Sequence, residues 1–247
     1  MEELFLDVKF FKKPNFKEPV MIAAWPGMGL LAVISADYLR KKLDAKLFAE
    51  LYSPKNSVFL KNGVVDSAKI KHLFYYWDNL IICIGEAQPP TPLEVRMLAE
   101  DVLNLAEEFG VKRVYTLAAS PAFAQEELKV FGIVNKEELL KEVSKYVPIA
   151  KGEGDITGLN GVLLGVAKER NLDGVCLLGQ IRYMDVPQFK SARLVLEVLT
   201  KMLNIEVDFL ELDKEAEKLE ESIKEKLKRL EEVKVKKEEK ERLEYIG

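Results

Sequence analysis

Apolar and polar positions follow two alternating periods along the chain. Val20-Met21-Ile22-Ala23-Ala24-Trp25 is a short apolar run halted by Pro26-Gly27, which predicts a buried strand. From Leu30 to Leu43 the apolar residues recur at helical spacing and end in Arg40, Lys41 and Lys42, cations that suit a helix C-terminus. Ile70 to Trp77 alternates and is aromatic, as a strand would be, and Leu80-Ile81-Ile82-Cys83-Ile84 is apolar throughout, as a central parallel strand would be. Thr91, Pro92 and Glu94 make a helix start with cap, first-turn proline and capping carboxylate, and that helix runs to Phe109 before Gly110. Further strands are expected at Arg113 to Ala118 and Gly174 to Leu178. Further helices are expected at Lys136 to Ser144, Gly161 to Arg170 and Gln188 to Leu203.

Buried strands alternating with helices predict an α/β fold with a mostly parallel sheet covered on both faces. Lys46 to Lys71 is less regular. There Asn62-Gly63 separates Val58-Phe59-Leu60 from Val64-Val65, a hairpin signal that predicts local antiparallel pairing.

Charge divides the chain. Residues 211–247 contain 13 acidic and 11 basic positions, so a globular body over 1–206 and a charged helical tail over 207–247 are expected. No Gly or Pro occurs between Gln188 and Ile246, and Leu212, Ala216, Leu219, Ile223, Leu227 and Leu230 form one stripe. Glu220 with Lys224, Glu225 with Arg229 and Glu232 with Lys236 are favourably ordered pairs one turn apart. The stripe needs cover, from a second subunit or from the body. Beyond it Val233 to Glu244 is polar nearly all round, a frayed helix or a tether, leading to the apolar-aromatic tip Leu243-Glu244-Tyr245-Ile246-Gly247.

Composition narrows the class. At 247 residues and 48% apolar the chain is long and apolar enough for a sizeable core and is not disordered throughout. Two cysteines exclude a disulfide scaffold, and no apolar run reaches membrane-spanning length. The acidic start lacks the basic flank and cleavage site of a signal peptide, so a cytoplasmic location is expected. A net charge of −4 offers nothing to a nucleic acid. The many Lys and Glu residues suit a thermophile.

Candidate chemistry is sparse. Trp25-Pro26-Gly27-Met28-Gly29-Leu30-Leu31-Ala32 fits G-x-G-x-x-A after a strand, with Glu50 about where a ribose-binding carboxylate would sit. The same glycines serve equally as a tight strand-to-helix turn. Glu86, Ser120, Gln180 and Arg182 stand in loops after strands, where an open parallel sheet has its ligand crevice. Capping helices is the other use of such residues. His72, the one histidine, is expected on a strand at a surface or interface, and Cys83 and Cys176 are expected as inert core thiols. No catalytic set, cofactor site or metal site is expected, since one histidine and two separated cysteines are too few for zinc without carboxylates.

Four segments carry a resemblance. They are Ala24-Trp25-Pro26-Gly27-Met28-Gly29-Leu30, Gly85-Glu86-Ala87-Gln88-Pro89, Gly158-Leu159-Asn160-Gly161-Val162-Leu163-Leu164, and Leu177-Leu178-Gly179-Gln180 followed by Asp185-Val186-Pro187. In this order the sequence resembles the proteasome assembly chaperone 2 (PAC2) family, particularly its archaeal members. The resemblance implies an α/β/α sandwich similar to nucleoside phosphorylases and a non-enzymatic, homo-oligomeric chaperone. It implies proteasome α subunits or related assembly factors as partners in core-particle assembly, engaged through a C-terminal tail. It thereby points to Leu243, Tyr245, Ile246 and Gly247 as partner-binding residues and to the stripe from Leu212 to Leu230 as an oligomer interface. Proteasome activators of other kinds end in a hydrophobic-Tyr-any tripeptide; here Tyr245 is third from the end, one position earlier than in that pattern. The rival from another class is a phosphorylase-like or nucleotide-binding enzyme using the strand-end crevice, with Glu86 as base.

Overall fold

The structure, a computed structural model, describes residues 7–122 and 127–244, and of their side chains all but those at 56, 227, 228 and 230–244. Two compact units divide the chain, Met1–Asp208 and Phe209–Gly247.

The first unit is built on a sheet. Its strands are β1 (Asp7–Phe10), β2 (Val20–Ala24), β3 (Lys46–Lys61), β4 (Val64–Trp77), β5 (Leu80–Gly85), β6 (Arg113–Pro121), β7 (Val130–Val134) and β8 (Asp173–Ile181). Their spatial order is β1-β3-β4-β5-β2-β6-β8-β7. The centre, β5-β2-β6-β8, is parallel, whereas β1, β3, β4 and β7 are joined to it antiparallel. The sheet is therefore mixed, not mostly parallel as the alternation of strands and helices predicts. The cause is local. β1 is short and half-exposed, and β7 has no strong period, so neither stands out from the surrounding loops.

Helices cover both faces. On one side α1 (Leu31–Lys42) packs with α5 (Phe189–Leu203); on the other α2 (Pro92–Glu108) packs with α4 (Gly158–Glu169). A short helix, α3 (Leu140–Val143), follows a single 3-10 turn at Glu137–Leu139. The pleat shares out the core. In β2, Met21 and Ala23 join the cluster that includes Leu98, Val102, Leu159 and Leu163 of α2 and α4, while Ile22 and Ala24 are buried on the other face. An aromatic group of Phe10, Phe16, Phe48, Phe74, Tyr76 and Phe109 extends this core toward β1, mostly edge to face.

The helix ends follow their residues. Thr91 Oγ1 accepts from the Glu94 backbone N–H at 3.3 Å, and Glu94 Oε2 accepts from the Thr91 N–H at 3.1 Å, the reciprocal box expected from T-P-L-E. The α2 and α4 surfaces are tied by Arg96 to Glu169 and by Arg170 to Glu100 and Glu107. Asn204, left-handed at φ 52°, ends α5.

The irregular stretch is a long hairpin. Asn62 at φ 51° and Gly63 at φ 80° form the two-residue turn between β3 and β4. The pairing slips between Pro54 and Val58, where β3 carries extra residues, and beyond that bulge the hairpin continues as a ribbon paired to no other strand among the described residues.

In the second unit α6 (Leu210–Glu244) is one continuous helix of 35 residues, so the polar segment after Val233 is helical to Glu244. Among the described residues no helix is long and apolar enough to cross a membrane.

Candidate functional site

The carboxyl ends of β5, β2, β6 and β8 are where an open sheet presents its crevice. Here the chain fills that place with its own side chains. Trp25, the residue after β2, is fully buried. Its backbone N–H donates to Asn160 Oδ1 at 3.2 Å, and Asn160 Nδ2 donates back to the Trp25 carbonyl at 3.4 Å. Gln88, from the loop between β5 and α2, donates from Nε2 to the Pro26 carbonyl and accepts at Oε1 from the Leu159 N–H at 2.7 Å. Gln88 and Asn160 thus stitch the end of β2 to the first turn of α4. The Leu159 amide at that turn is thereby engaged by Gln88.

The glycine turn is closed as well. Gly29, at φ 61°, donates its N–H to the Met184 carbonyl at 2.6 Å, and its own carbonyl accepts from the Gln188 N–H at 2.9 Å. Leu30 N–H returns to the Gly27 carbonyl at 3.0 Å. Glu50 lies in β3, with β4 and β5 between it and β2, 7% exposed, with its carboxylate held by the Tyr52 hydroxyl and by Lys71 at 3.4 Å. The Tyr52 bond, with Lys71, holds that carboxyl below its ordinary range despite burial. Of the two readings of the G-x-G-x-x-A segment, the geometry keeps the tight turn and discards the dinucleotide cradle.

The other strand-end residues do not assemble into a set. Ser120 and Gln180 stand opposite each other on β6 and β8. Gln180 Oε1, however, accepts from the Lys129 N–H at 3.0 Å. Glu86 turns toward β4, where Oε2 accepts from the Lys71 N–H at 3.0 Å. Arg182 is exposed, and its N–H donates to Gln188 Oε1 at 3.1 Å.

His72 departs from expectation. It is fully buried rather than at a surface. The signal was present in the alternation: Ile70, His72, Phe74 and Tyr76 share one pleat face, and that face meets the core. Trp25 Nε1–H donates to His72 Nδ1 at 3.0 Å, and Ser53 Oγ lies 2.9 Å from Nε2. The indole is a donor only, so Nδ1 accepts and the neutral ring carries its proton on Nε2, facing Ser53. Burial lowers the His72 pKa to about 4, which keeps the ring neutral. Ser53 and His72 therefore resemble a nucleophile and its base only in distance: in this tautomer Nε2 donates to Ser53 and cannot take its proton.

Gly85 is what lets the indole lie there. A Cβ at Gly85 would run into the Trp25 ring and stand 2.7 Å from His72 Nδ1. Three of the four segments singled out in the sequence therefore meet around Trp25, which the first supplies, with Gly85 and Gln88 from the second and Asn160 from the third, while the fourth packs behind the turn at Gly29.

The pattern of the PAC2 family matches residues 21–227. The chain belongs to the PAC2 family. Among solved structures it is similar to PbaB of Pyrococcus furiosus, an archaeal proteasome activator, with 32% identity and a TM-score of 0.81 over 90% of this chain and 99% of that one. It is also similar to PbaA of the same organism, an archaeal homolog of proteasome-assembly chaperone, with 32% identity and a TM-score of 0.75 over 94% of this chain and 97% of that one. An uncharacterized protein of Methanocaldococcus jannaschii is 31% identical over 88% of this chain and 90% of its own length. These PAC2 structures share the mixed α/β architecture described above.

In the tail, α6 places Leu212, Ala216, Leu219 and Ile223 along one side of the helix at spacings of three and four. The side chains of Leu227, Leu230 and Leu243 lie outside those described, and Tyr245, Ile246 and Gly247 lie outside the described residues. Both thiols are buried. Burial pushes Cys83 up strongly and raises Cys176 to about 11.

Proposed function

We propose that this PAC2 protein is a non-enzymatic, homo-oligomeric chaperone or scaffold of the cytoplasm that binds proteasome α subunits during core-particle assembly. The observation that carries the reading is likeness over at least nine-tenths of the chain to both PbaA and PbaB, proteins tied by their descriptions to proteasome assembly and activation. The closed strand-end site supports it: Gln88, Asn160 and the bonded Gly29 fill the place a phosphorylase-like enzyme would use. In this reading the body, over 1–206, gives a rigid platform. The stripe from Leu212 to Leu230 on the 207–247 tail joins subunits, and the tip with Leu243, Tyr245, Ile246 and Gly247 docks on the partner.

Affinity capture of the full-length chain from its native cell lysate, with a size measurement on the complex, tests the proposal. Proteasome α subunits recovered in defined ratio are expected. A capture without them, or turnover near one per second on a nucleoside, would sink it.

A further inference from the structure

A small pocket adjoins the buried histidine. Ser53, Pro54, Pro89, Glu94 and Met97 line it, and its volume is about 40 Å³. A cavity needs only about 10–15 Å³ to hold a water, so this one has room for water or for the end of a small polar molecule. Ser53 precedes the slip in β3 between Pro54 and Val58, while Pro89 comes just before α2 and Glu94 and Met97 from its first two turns. The pocket therefore lies between the root of the β3–β4 hairpin and the start of α2. Pro54, Pro89 and Met97 make apolar walls, and the Ser53 hydroxyl and the Glu94 carboxylate are the polar groups.

The hydrogen bonds that lead to this pocket run in one direction. The Trp25 indole N–H occupies Nδ1 of His72, so the neutral ring donates from Nε2 to Ser53 Oγ across 2.9 Å. Oγ is thereby an acceptor, and its own proton is left over. Ser53 is only 5% exposed, and among the described residues no protein group accepts that proton. A buried donor without an acceptor is costly and correspondingly rare in folded proteins. Glu94 has the complementary vacancy. The Thr91 N–H and hydroxyl both donate to Oε2, at 3.1 and 2.6 Å, so the helix cap leaves Oε1 unused.

We infer that this pocket is a binding site for a small neutral hydroxyl group, which accepts from the Ser53 hydroxyl and donates toward the Glu94 carboxylate. Water and the hydroxymethyl end of a small alcohol present the same chemistry, one oxygen that both accepts and donates. The polar pair selects it. A carboxylate or phosphate could accept from Ser53 but would face Glu94 as a like charge, and an ammonium could pair with Glu94 but offers Ser53 no acceptor. The apolar walls suit the carbon of an alcohol and leave no place for further polar groups. With the site filled, indole, imidazole, hydroxyl, ligand and carboxylate form one chain, which ties the hairpin root to α2. The site is separate from the strand-end turn at Gly29 and from the tail, and it goes beyond the chaperone reading.

A crystal structure of the full-length chain, grown and frozen without polyols, should show ordered water about 2.6–3.0 Å from Ser53 Oγ, with a hydrogen-bonded path to Glu94. Titration with ethylene glycol, followed by the Met97 methyl NMR signal, separates the two sources. A saturable shift assigns the pocket to a small alcohol that displaces the water. No shift, with the water in place, assigns it to water. Ser53→Ala should abolish both the ordered water and any shift. That variant also deprives His72 of its acceptor, so Glu94→Ala carries the test if it does not fold. Thr91→Ala is the control, because it removes the same helix cap and leaves both pocket groups intact. Occupancy should be lost in Glu94→Ala and kept in Thr91→Ala. An empty pocket in the crystal overturns the inference. So does an occupant that survives Ser53→Ala or Glu94→Ala, or one lost equally in Thr91→Ala. Acetate shifting the Met97 signal as strongly as glycol would overturn the preference for a neutral hydroxyl, and the inference with it.

Discussion

The indole N–H of Trp25 reaches Nδ1 of His72 across 3.0 Å, joining the end of β2 to β4 over the bare backbone of Gly85. Both side chains are fully buried, so the bond is shielded from water and sets the histidine tautomer. It places a titratable ring in the core with its proton aimed at Ser53, so the ring is not poised to take a proton from that hydroxyl.

The first consequence is a pH dependence. The His72 pKa is about 4 in the folded chain, below the 6.5 of an ordinary histidine. Between those values the unfolded chain holds the extra proton, so stability rises with pH. The contribution is fully present above about pH 6.5 and is lost as pH falls toward 4, about 3 kcal/mol in all at 1.36 kcal/mol per unit. Glu50, with its lowered pKa, adds a loss only at more acid pH. Urea titrations from pH 7 to 4 should show the slope, and His72→Gln should flatten it even if the variant is less stable throughout. Parallel wild-type and variant curves would count against the buried neutral histidine.

A glycine pair gives an internal control. Gly85→Ala places a methyl against the Trp25 ring and should cost roughly 1–3 kcal/mol through overpacking. Gly154→Ala meets nothing within 4 Å and should change stability by less than about 0.5 kcal/mol. Chemical denaturation of the two variants gives both numbers. Equal effects would mean the indole does not rest on Gly85.

The thiols should be silent in the native chain. Cys83 and Cys176 are both fully buried with raised pKa values. Ellman's reagent at pH 8 should detect no thiol before unfolding and both in urea. Prompt native reaction would place at least one on a path to solvent.

The tail makes two separable predictions. Deleting 211–247 should reduce the oligomer mass if the Leu212 to Leu230 stripe joins subunits, because each buried Leu or Ile contributes about 1.5–3 kcal/mol. Deleting only 245–247 should leave the mass unchanged and weaken capture of the partner. Unchanged mass after the long deletion removes the assembly role, and undiminished capture after the short one removes the docking role.

Local signals transferred well to the structure. The apolar run at Val20, the box at Thr91 and the turn at Asn62-Gly63 act over a few residues, so each could be read where it stands. Less was legible at the strand-end site. The glycine pattern named a turn but not its occupants, because the groups that satisfy it come from Met184 and Gln188, far along the chain. The mixed sheet was likewise hidden, since β7 finds its place only through pairing with β8.

The sequence by itself determined the strands and helices other than β1 and β7, the cap at Thr91 and the turn at Asn62-Gly63, and the PAC2 family, because period, capping chemistry and short motifs are properties of neighbouring residues. Only the tertiary structure decided that His72 is a core residue bound to Trp25, 47 positions away, and that Asn160, 135 positions from Trp25, helps to close the crevice. The physical reason is that a hydrogen bond between distant segments leaves no period in either of them. Its partners are chosen when the sheet brings the ends of β2, β4 and β5 together against α4, and burial then makes each donor find an acceptor.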